Sequence, residues 1–270
     1  MRELSVSEEV PDEVVALVRD ARRVVVLTGA GISAESGVPT FREVQTGLWE
    51  RFSAEELATV EAFENDPALV WTWYRWRQAL IAAVEPNAGH RALALWQQRL
   101  ADVDGGWLAV TTQNVDDLHE RAGAEALGHL HGRIAAHRCA DCGESDELPT
   151  PEFDGFTAPP EPVDPPFCTH CEEGLMRPDI VWFGEMLPAS DFDASSAAIR
   201  AADLVLVVGT SGMVQPAASL PLLGLERGVP IIEVNPQETE LTDLVDFAIR
   251  GPSGEVLPQL LQAAGIAGRR

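Results

Sequence analysis

Four short apolar runs set the widest constraint on how this chain can fold. Val24-Val25-Val26-Leu27 is continuous and mostly β-branched, and it stops at Thr28-Gly29-Ala30-Gly31. Similar runs lie at Trp107–Thr111, Leu204–Gly209 and Ile231–Val234. They end on Thr112-Gln113-Asn114, Gly209-Thr210-Ser211 and Asn235-Pro236. A strand that is apolar at every residue must be covered on both faces, which is the situation of a buried parallel strand. Residues 54–84 and 88–100 read as helices, and so do residues 8–20, where Val10, Val14, Val15 and Val18 form one apolar stripe. Strands alternating with helices predict an α/β fold built on a doubly wound parallel sheet. In such sheets ligands gather at the carboxyl ends of the strands, where these polar turns lie.

One stretch breaks the rhythm. Residues 143–167 are rich in Pro, Glu and Asp, and they lie between Cys139-x-x-Cys142 and Cys168-x-x-Cys171, the only cysteines of the chain. Two such knuckles can set four thiolates around one zinc ion with bonds of about 2.3 Å, closing the coordination shell and making the metal structural. The alternatives are two disulfides or a redox pair. Without an export signal stable disulfides are disfavoured, and a redox site needs one pair, not two. His137 and His170 stand nearby, but four thiolates suffice without them.

The charge balance limits the partners. There are 43 acidic and 19 basic residues, a formal net charge of −24, and every basic residue is Arg. A chain this acidic repels nucleic acid and anionic membrane surfaces. A zinc-ribbon nucleic-acid module is disfavoured further because residues 139–171 contain neither Lys nor Arg. Adaptation to a high-salt cytoplasm, where screening removes self-repulsion, accounts for the acid excess; GC-rich coding accounts for the missing Lys but not for the excess. No apolar run approaches the roughly 18 residues of a membrane span. The acidic residues 1–20 lack the basic and apolar regions of a secretory signal, so a cytoplasmic location is expected. A Lys-free chain cannot be its own lysine substrate.

Gly29-Ala30-Gly31 follows a strand and precedes a short helical stretch. Small residues there let backbone N–H groups approach a pyrophosphate. Alone, the loop reads equally well as a tight structural turn. It is also not the dehydrogenase fingerprint, because Ala34 stands three residues after Gly31. The longer string Gly29-Ala-Gly-Ile-Ser-Ala-Glu-Ser-Gly-Val-Pro-Thr-Phe-Arg42, however, resembles the cofactor loop of the sirtuin family along its whole length. Thr112-Gln-Asn-Val-Asp116, Leu130-His-Gly132 and Gly209-Thr-Ser211 resemble further motifs of that family in the same order, and Phe183-Gly-Glu185 and Val214-x-Pro216 also match. The cysteine knuckles fall where the family carries its zinc ribbon. The likeness spans roughly residues 20–260. One departure is Glu43, where many sirtuins have Gly after the Phe-Arg pair.

The resemblance implies one domain over residues 1–270. Residues 20–42, 86–135 and 179–260 would form its Rossmann-like NAD-binding part, 43–85 a helical module and 136–178 an inserted zinc-ribbon module. It implies NAD as co-substrate, one structural zinc ion held by Cys139, Cys142, Cys168 and Cys171, and acyl-lysine proteins as partners. Gly29, Ala30, Gly31, Ser33, Phe41 and Arg42 would surround the pyrophosphate and nicotinamide ribose. Gln113, Asn114 and Asp116 would shape the nicotinamide pocket. Gly209, Thr210, Ser211, Asn235, Pro236, Gln237 and Ser253 would hold the adenosine. Val181, Phe183, Gly184, Glu185 and Val214 would meet the acylated substrate. His131 is the expected catalytic residue. By itself a lone His at a strand end is more often structural, but in the Leu-His-Gly context it becomes the general base, for its imidazole titrates near neutrality. In the implied reaction the acyl-lysine carbonyl oxygen attacks C1′ of the nicotinamide ribose and expels nicotinamide. His131 then activates a ribose hydroxyl, and the acyl group ends on ADP-ribose. Mono-ADP-ribosyl transfer from the same site is the alternative enzyme reading.

Tyr74-x-x-Arg77 puts a phenol and a guanidinium on one helix face. Among Trp71, Trp73 and Trp76 these residues read by themselves as core with solvated arginines. Followed by Glu85-Pro-Asn-Ala-Gly-His90, the pair resembles class III sirtuins, in which it recognises the carboxylate of succinyl-, malonyl- or glutaryl-lysine. Ala58 fits the small residue that widens the acyl pocket there. Desuccinylase and demalonylase activity is therefore expected, with deacetylase activity retained. A plain deacetylase, with Tyr74 and Arg77 structural, is the other outcome.

Overall fold

The computed structural model describes residues 2–5, 10–39, 54–152 and 161–267. From the N-terminus the first elements are β1 (Arg2–Ser5), α1 (Asp12–Asp20), β2 (Arg23–Thr28) and α2 (Ala30–Ala34). Three helices follow, α3 (Ala54–Leu57), α4 (Val60–Asn65) and α5 (Pro67–Ala83), and then α6 (Ala88–Ala101) and β3 (Trp107–Thr112). Next come α7 (Leu118–Arg121), β4 (Ala126–His129), β5 (Gly132–Cys139), β6 (Ser145–Asp146) and β7 (Met176–Ile180). The chain closes with α8 (Ala189–Ala201), β8 (Leu204–Val208), α9 (Leu220–Leu225), β9 (Ile231–Val234), β10 (Phe247–Arg250) and α10 (Ser253–Ala263).

Among the described residues the main sheet has seven strands in the order β1-β10-β9-β8-β2-β3-β4, all parallel. The apolar runs explain it. Successive side chains of a strand point to opposite faces. Val24 and Val26 of β2, with Leu204 and Leu206 of β8, pack under Val14 and Val18 of α1, Leu93 and Trp96 of α6, and Leu257 and Leu260 of α10. The alternating residues Val25, Leu27, Val205 and Val207 turn the other way, onto Ile199 of α8 and Leu220 of α9. Both faces are thus covered, which is why the middle of such a strand, as in Val24–Leu27 and Leu204–Val208, is continuously apolar.

Strands β2, β3 and β4 run towards one edge, and β8, β9 and β10 towards the other. The direction of winding reverses between β2 and β8, and this switch point opens a crevice beyond the carboxyl ends of the strands. A second sheet, β6-β5-β7, is antiparallel and carries the cysteines. A third apolar cluster joins the helices to this second sheet, with Phe63, Val70, Trp73 and Tyr74 packed with Ile134, Ile180 and Trp182.

The elements differ from the sequence expectation in three places. The N-terminal helix begins at Asp12, behind Pro11, and Arg2–Ser5 instead form an edge strand on β10. The expected helix over 54–84 is three helices. Asp66 leaves the helical region and its carboxylate caps α5 at Leu69 N, while Pro67 takes the first helical position, where it needs no N–H donor. Two further strands, β4 and β10, are too short to show a pattern in the sequence. No helix among the described residues is long and apolar enough to cross a membrane.

Leu206 is 0% exposed at the centre of the sheet. Leu206→Ala is expected to cost roughly 2–5 kcal/mol, read as a lower midpoint in urea unfolding.

Candidate active site and metal centre

Strand β5 delivers Cys139 to the first knuckle, and the Cys168–Cys171 turn folds back over it. Cys139 Sγ lies 3.7 Å from Cys171 Sγ and Cys142 Sγ 3.8 Å from Cys168 Sγ, and all four sulfurs are within 4.8 Å of one another. A disulfide needs S–S of about 2.05 Å, so these are not disulfides. A regular tetrahedron of bonds of about 2.3 Å has edges of about 3.8 Å, and the Cys139–Cys171 and Cys142–Cys168 pairs stand at that spacing. Backbone N–H groups of Asp141, His170 and Gly174 point at the sulfurs from 3.3 to 3.4 Å, which suits thiolates. Cys139, Cys168, Met176 and Trp71 pack together beneath the knuckles. His137 is not part of the cluster; its ring lies tilted against Trp71, centroids 5.4 Å apart. The cluster is fitted to one metal ion with a closed shell.

The crevice is built from loops that touch. Gly29 N–H donates to Val208 O at 3.0 Å, and Gly31 N–H to Gly209 O at 2.8 Å. A Cβ on Gly31 would stand 2.7 Å from Gly209 Cα, and one on Gly209, whose φ is +62°, would stand 2.5 Å from Ile32 N. Only glycine permits this approach. Ala30 opens α2, a helix of five residues. Phe41 and Arg42 lie outside the described residues.

From α2, Ser33 reaches across the crevice. Its hydroxyl donates to Asp116 Oδ2 at 2.8 Å and accepts from Asn114 Nδ2 at 3.0 Å. Burial pushes the Asp116 carboxyl upward against the pull of Ser33 and of the Leu118 N–H. Gln113 Nε2 donates to Thr210 Oγ1 at 3.2 Å, tying the β3 loop to the β8 loop. Asn235 Nδ2 donates to Thr210 O at 2.9 Å, and Asn235 Oδ1 accepts from Gln237 N at 3.3 Å across Pro236. Ser211 takes the Glu240 N–H on its carbonyl. Ser253, buried, donates to Glu35 Oε1 at 2.8 Å, and Gly254 N–H shares that acceptor. The crevice residues expected after β2, β3, β8 and β9 are therefore brought together, with Ser253 linked through Glu35.

His131 is half-buried just after β4, and its backbone carbonyl accepts from Val181 N–H at 3.0 Å. Burial lowers the imidazole, opposed by a hydrogen bond to the Gln113 backbone. Beyond Val181, Phe183 N–H donates to Ala58 O at 2.9 Å, and Thr59 bridges Phe183 in parallel fashion. Ala58, Tyr74 and Arg77 are all buried. Tyr74 OH accepts from Trp182 Nε1 at 3.0 Å, and the Arg77 guanidinium lies 5.0 Å from the Trp73 ring centroid. Burial raises the Tyr74 phenol and lowers Arg77, while the Asp116 charge opposes the shift at Arg77.

Glu185 is engaged within the chain. It accepts two hydrogen bonds of 2.7 Å from Arg177 and one of 2.8 Å from Trp182 N–H, closing the turn at Gly184, whose φ is +88°. Burial would raise its carboxyl, but these bonds outweigh it and hold the group below the usual range. Phe183, Met186, Met213 and Val214 are exposed. Trp182 and Asn87 were missed by sequence reasoning. Trp182 could not be told from a core aromatic. Asn87 had a signal, an N-cap pattern before α6; its amide also donates to Ile32 O at 2.6 Å and Ser36 Oγ at 3.0 Å, pinning the loop after α2.

Comparison with known proteins agrees with this geometry. A model described as the Sir2 family matches residues 29–216. An NAD-dependent protein deacylase of Mycobacterium tuberculosis strain H37Rv is 51% identical over 243 residues, covering 89% of this chain and 97% of that protein. A solved structure described as a Sir2 homolog–NAD complex superposes with a TM-score of 0.85 at 41% identity, covering 99% of this chain and 98% of that one. Another, described as Sir2 bound to acetylated peptide, gives a TM-score of 0.78 at 29% identity and covers 94% of this chain and 98% of its own. With the same sheet and most of its length shared with these proteins, this chain belongs to the Sir2 family of enzymes.

Proposed function

We propose that this chain is an NAD-dependent protein-lysine deacylase that removes succinyl and malonyl groups and also accepts acetyl-lysine. The observation that carries the acyl preference is that Tyr74 and Arg77 are both buried, Tyr74 in the cluster that contains Ala58, Trp73 and Trp182, and Arg77 with its guanidinium 5.0 Å from the Trp73 ring centroid of that cluster. Tyr74 OH accepts from Trp182, so its own hydrogen is left to donate, and burial keeps the phenol protonated. A buried guanidinium favours an incoming carboxylate, and a phenol and a guanidinium can share its two oxygens. Ala58 leaves room where a larger side chain would shorten the pocket.

NAD, when bound, supplies an electrophilic carbon at C1′ of its nicotinamide ribose and finally carries the acyl group away on ADP-ribose. The chain does the rest. Gly29, Ala30, Gly31 and Ser33, with Phe41 and Arg42, form the pyrophosphate and ribose side of the site. Gln113, Asn114 and Asp116 offer an amide and carboxylate set that matches a carboxamide. Gly209, Thr210, Ser211, Asn235, Pro236, Gln237 and Ser253 form the adenosine side. His131, lowered by burial, is neutral at neutral pH and free to accept a proton at its ring nitrogen. Val181, Phe183, Gly184, Glu185 and Val214 form the mouth that receives the acylated segment. We assign residues 20–42, 86–135 and 179–260 to the NAD-binding part, 43–85 to a helical module and 136–178 to a zinc-binding module.

The first test is an acyl-lysine peptide panel with nicotinamide release measured. Activity is expected only with NAD and is expected to vanish in His131→Ala; NAD-independent product, or full activity in that variant, would sink the assignment. Arg77→Met is expected to lower the succinyl-to-acetyl turnover ratio by about tenfold or more, as befits loss of a charge-assisted bond. An unchanged ratio would make the pair structural. Elemental analysis is expected to find one zinc ion per chain, lost with a lowered melting temperature in Cys168→Ser.

A further inference from the structure

Two residues before His131 stands a second histidine that the mechanism above does not use. His129 is 3% exposed. Its Nε2 lies 2.7 Å from Glu120 Oε1 on α7, and its Nδ1 lies 3.3 Å from the Asn114 carbonyl oxygen. Its backbone N–H donates to Asp191 Oδ2 of α8 at 2.9 Å. Arg133 of β5 approaches Glu120 Oε1 to 3.6 Å, and Asp116 and His119 both interact with His129 through charge. Both ring nitrogens face acceptors, and an imidazole that donates at both carries a positive charge. Glu120 is its counter-charge: burial would raise this carboxyl, but the His129 hydrogen bond and charge hold it down.

The His131 ring is hydrogen-bonded to the backbone of Gln113, the residue before Asn114. Side chains two residues apart on one strand end therefore grip consecutive residues of one loop. We infer that the Glu120–His129 pair is a positioning device that fixes the Gln113–Asp116 loop in register with His131. The inference rests on the deacylase reading of this crevice. Reacting groups tolerate little error, and a misplacement of about 1 Å can cost about 100-fold in rate.

Glu120→Gln tests the idea because it keeps size and hydrogen-bonding capacity while removing the charge. Steady-state NAD-dependent deacylation should show kcat lowered by about tenfold or more, with the KM for acyl-peptide within about threefold of wild type. His129→Asn should show the same split, and the melting temperature of Glu120→Gln should stay near that of wild type. A wild-type kcat in Glu120→Gln, or a loss confined to KM, would overturn the positioning role. One measurement needs no variant: nitrogen-15 spectra of the wild-type His129 ring should show two proton-bearing nitrogens, and a single one would overturn it too. A wild type inactive on every acyl-peptide would sink the deacylase reading instead, and the ring spectrum would still decide whether the brace exists.

Discussion

Everything in the crevice depends on how close the loops after β2 and β8 come to each other. Gly31 and Gly209 meet backbone to backbone, with the Gly31 N–H on the Gly209 carbonyl at 2.8 Å. That contact sets where α2 starts, and α2 sets where Ser33 points. Ser33 in turn holds Asn114 and Asp116, so two neighbouring strands and one short helix become a single polar wall. A methyl group on either glycine would push the wall apart by displacing backbone, which cannot yield as a flexible side chain does. The parallel sheet supplies the rigidity that makes such a contact reproducible, because its strands are clamped by apolar layers on both faces.

The side formed by the helices around Tyr74 is built on a different principle. Aromatic packing replaces backbone contact: Tyr74 meets Trp73 edge-on, centroids 4.6 Å apart, and lies tilted to Trp182 at 6.2 Å. Arg177 lies 3.4 Å from the Trp182 ring centroid on another side, so that ring is fixed by a cation as well as by the phenol. Under the proposed acyl preference, selectivity would rest on the few polar groups set among these rings.

What could be read from the sequence follows from how local each signal was. The central strands were legible because burial on both faces forces continuous apolar runs such as Val24–Leu27. The cysteine site was legible because two tight knuckles fix spacing within each pair, and the four sulfurs meet as that spacing requires. The edge strand Arg2–Ser5 was not, since an edge strand of four residues needs no apolar run. Nor was the break at Asp66-Pro67, where a cap and a proline that suit a helix start sit inside a sequence helical on both sides. Long-range polar pairs such as Tyr74–Trp182, Ser253–Glu35 and Glu233–Arg250 join residues far apart in the chain, and no spacing rule announces them.

Strand β5 begins directly after His131 and ends on Cys139, so one strand connects the crevice to the metal knuckles. It is not a straight rod. Its pairing with β7 slips between Arg133 and His137, where the ladder is interrupted. An interruption of this kind bends a strand and loosens its ladder locally. The strand is therefore held to β7 as two separate short ladders, Gly132–Arg133 beside the crevice and His137–Cys139 beside the knuckles, so each end of β5 has its own set of partners.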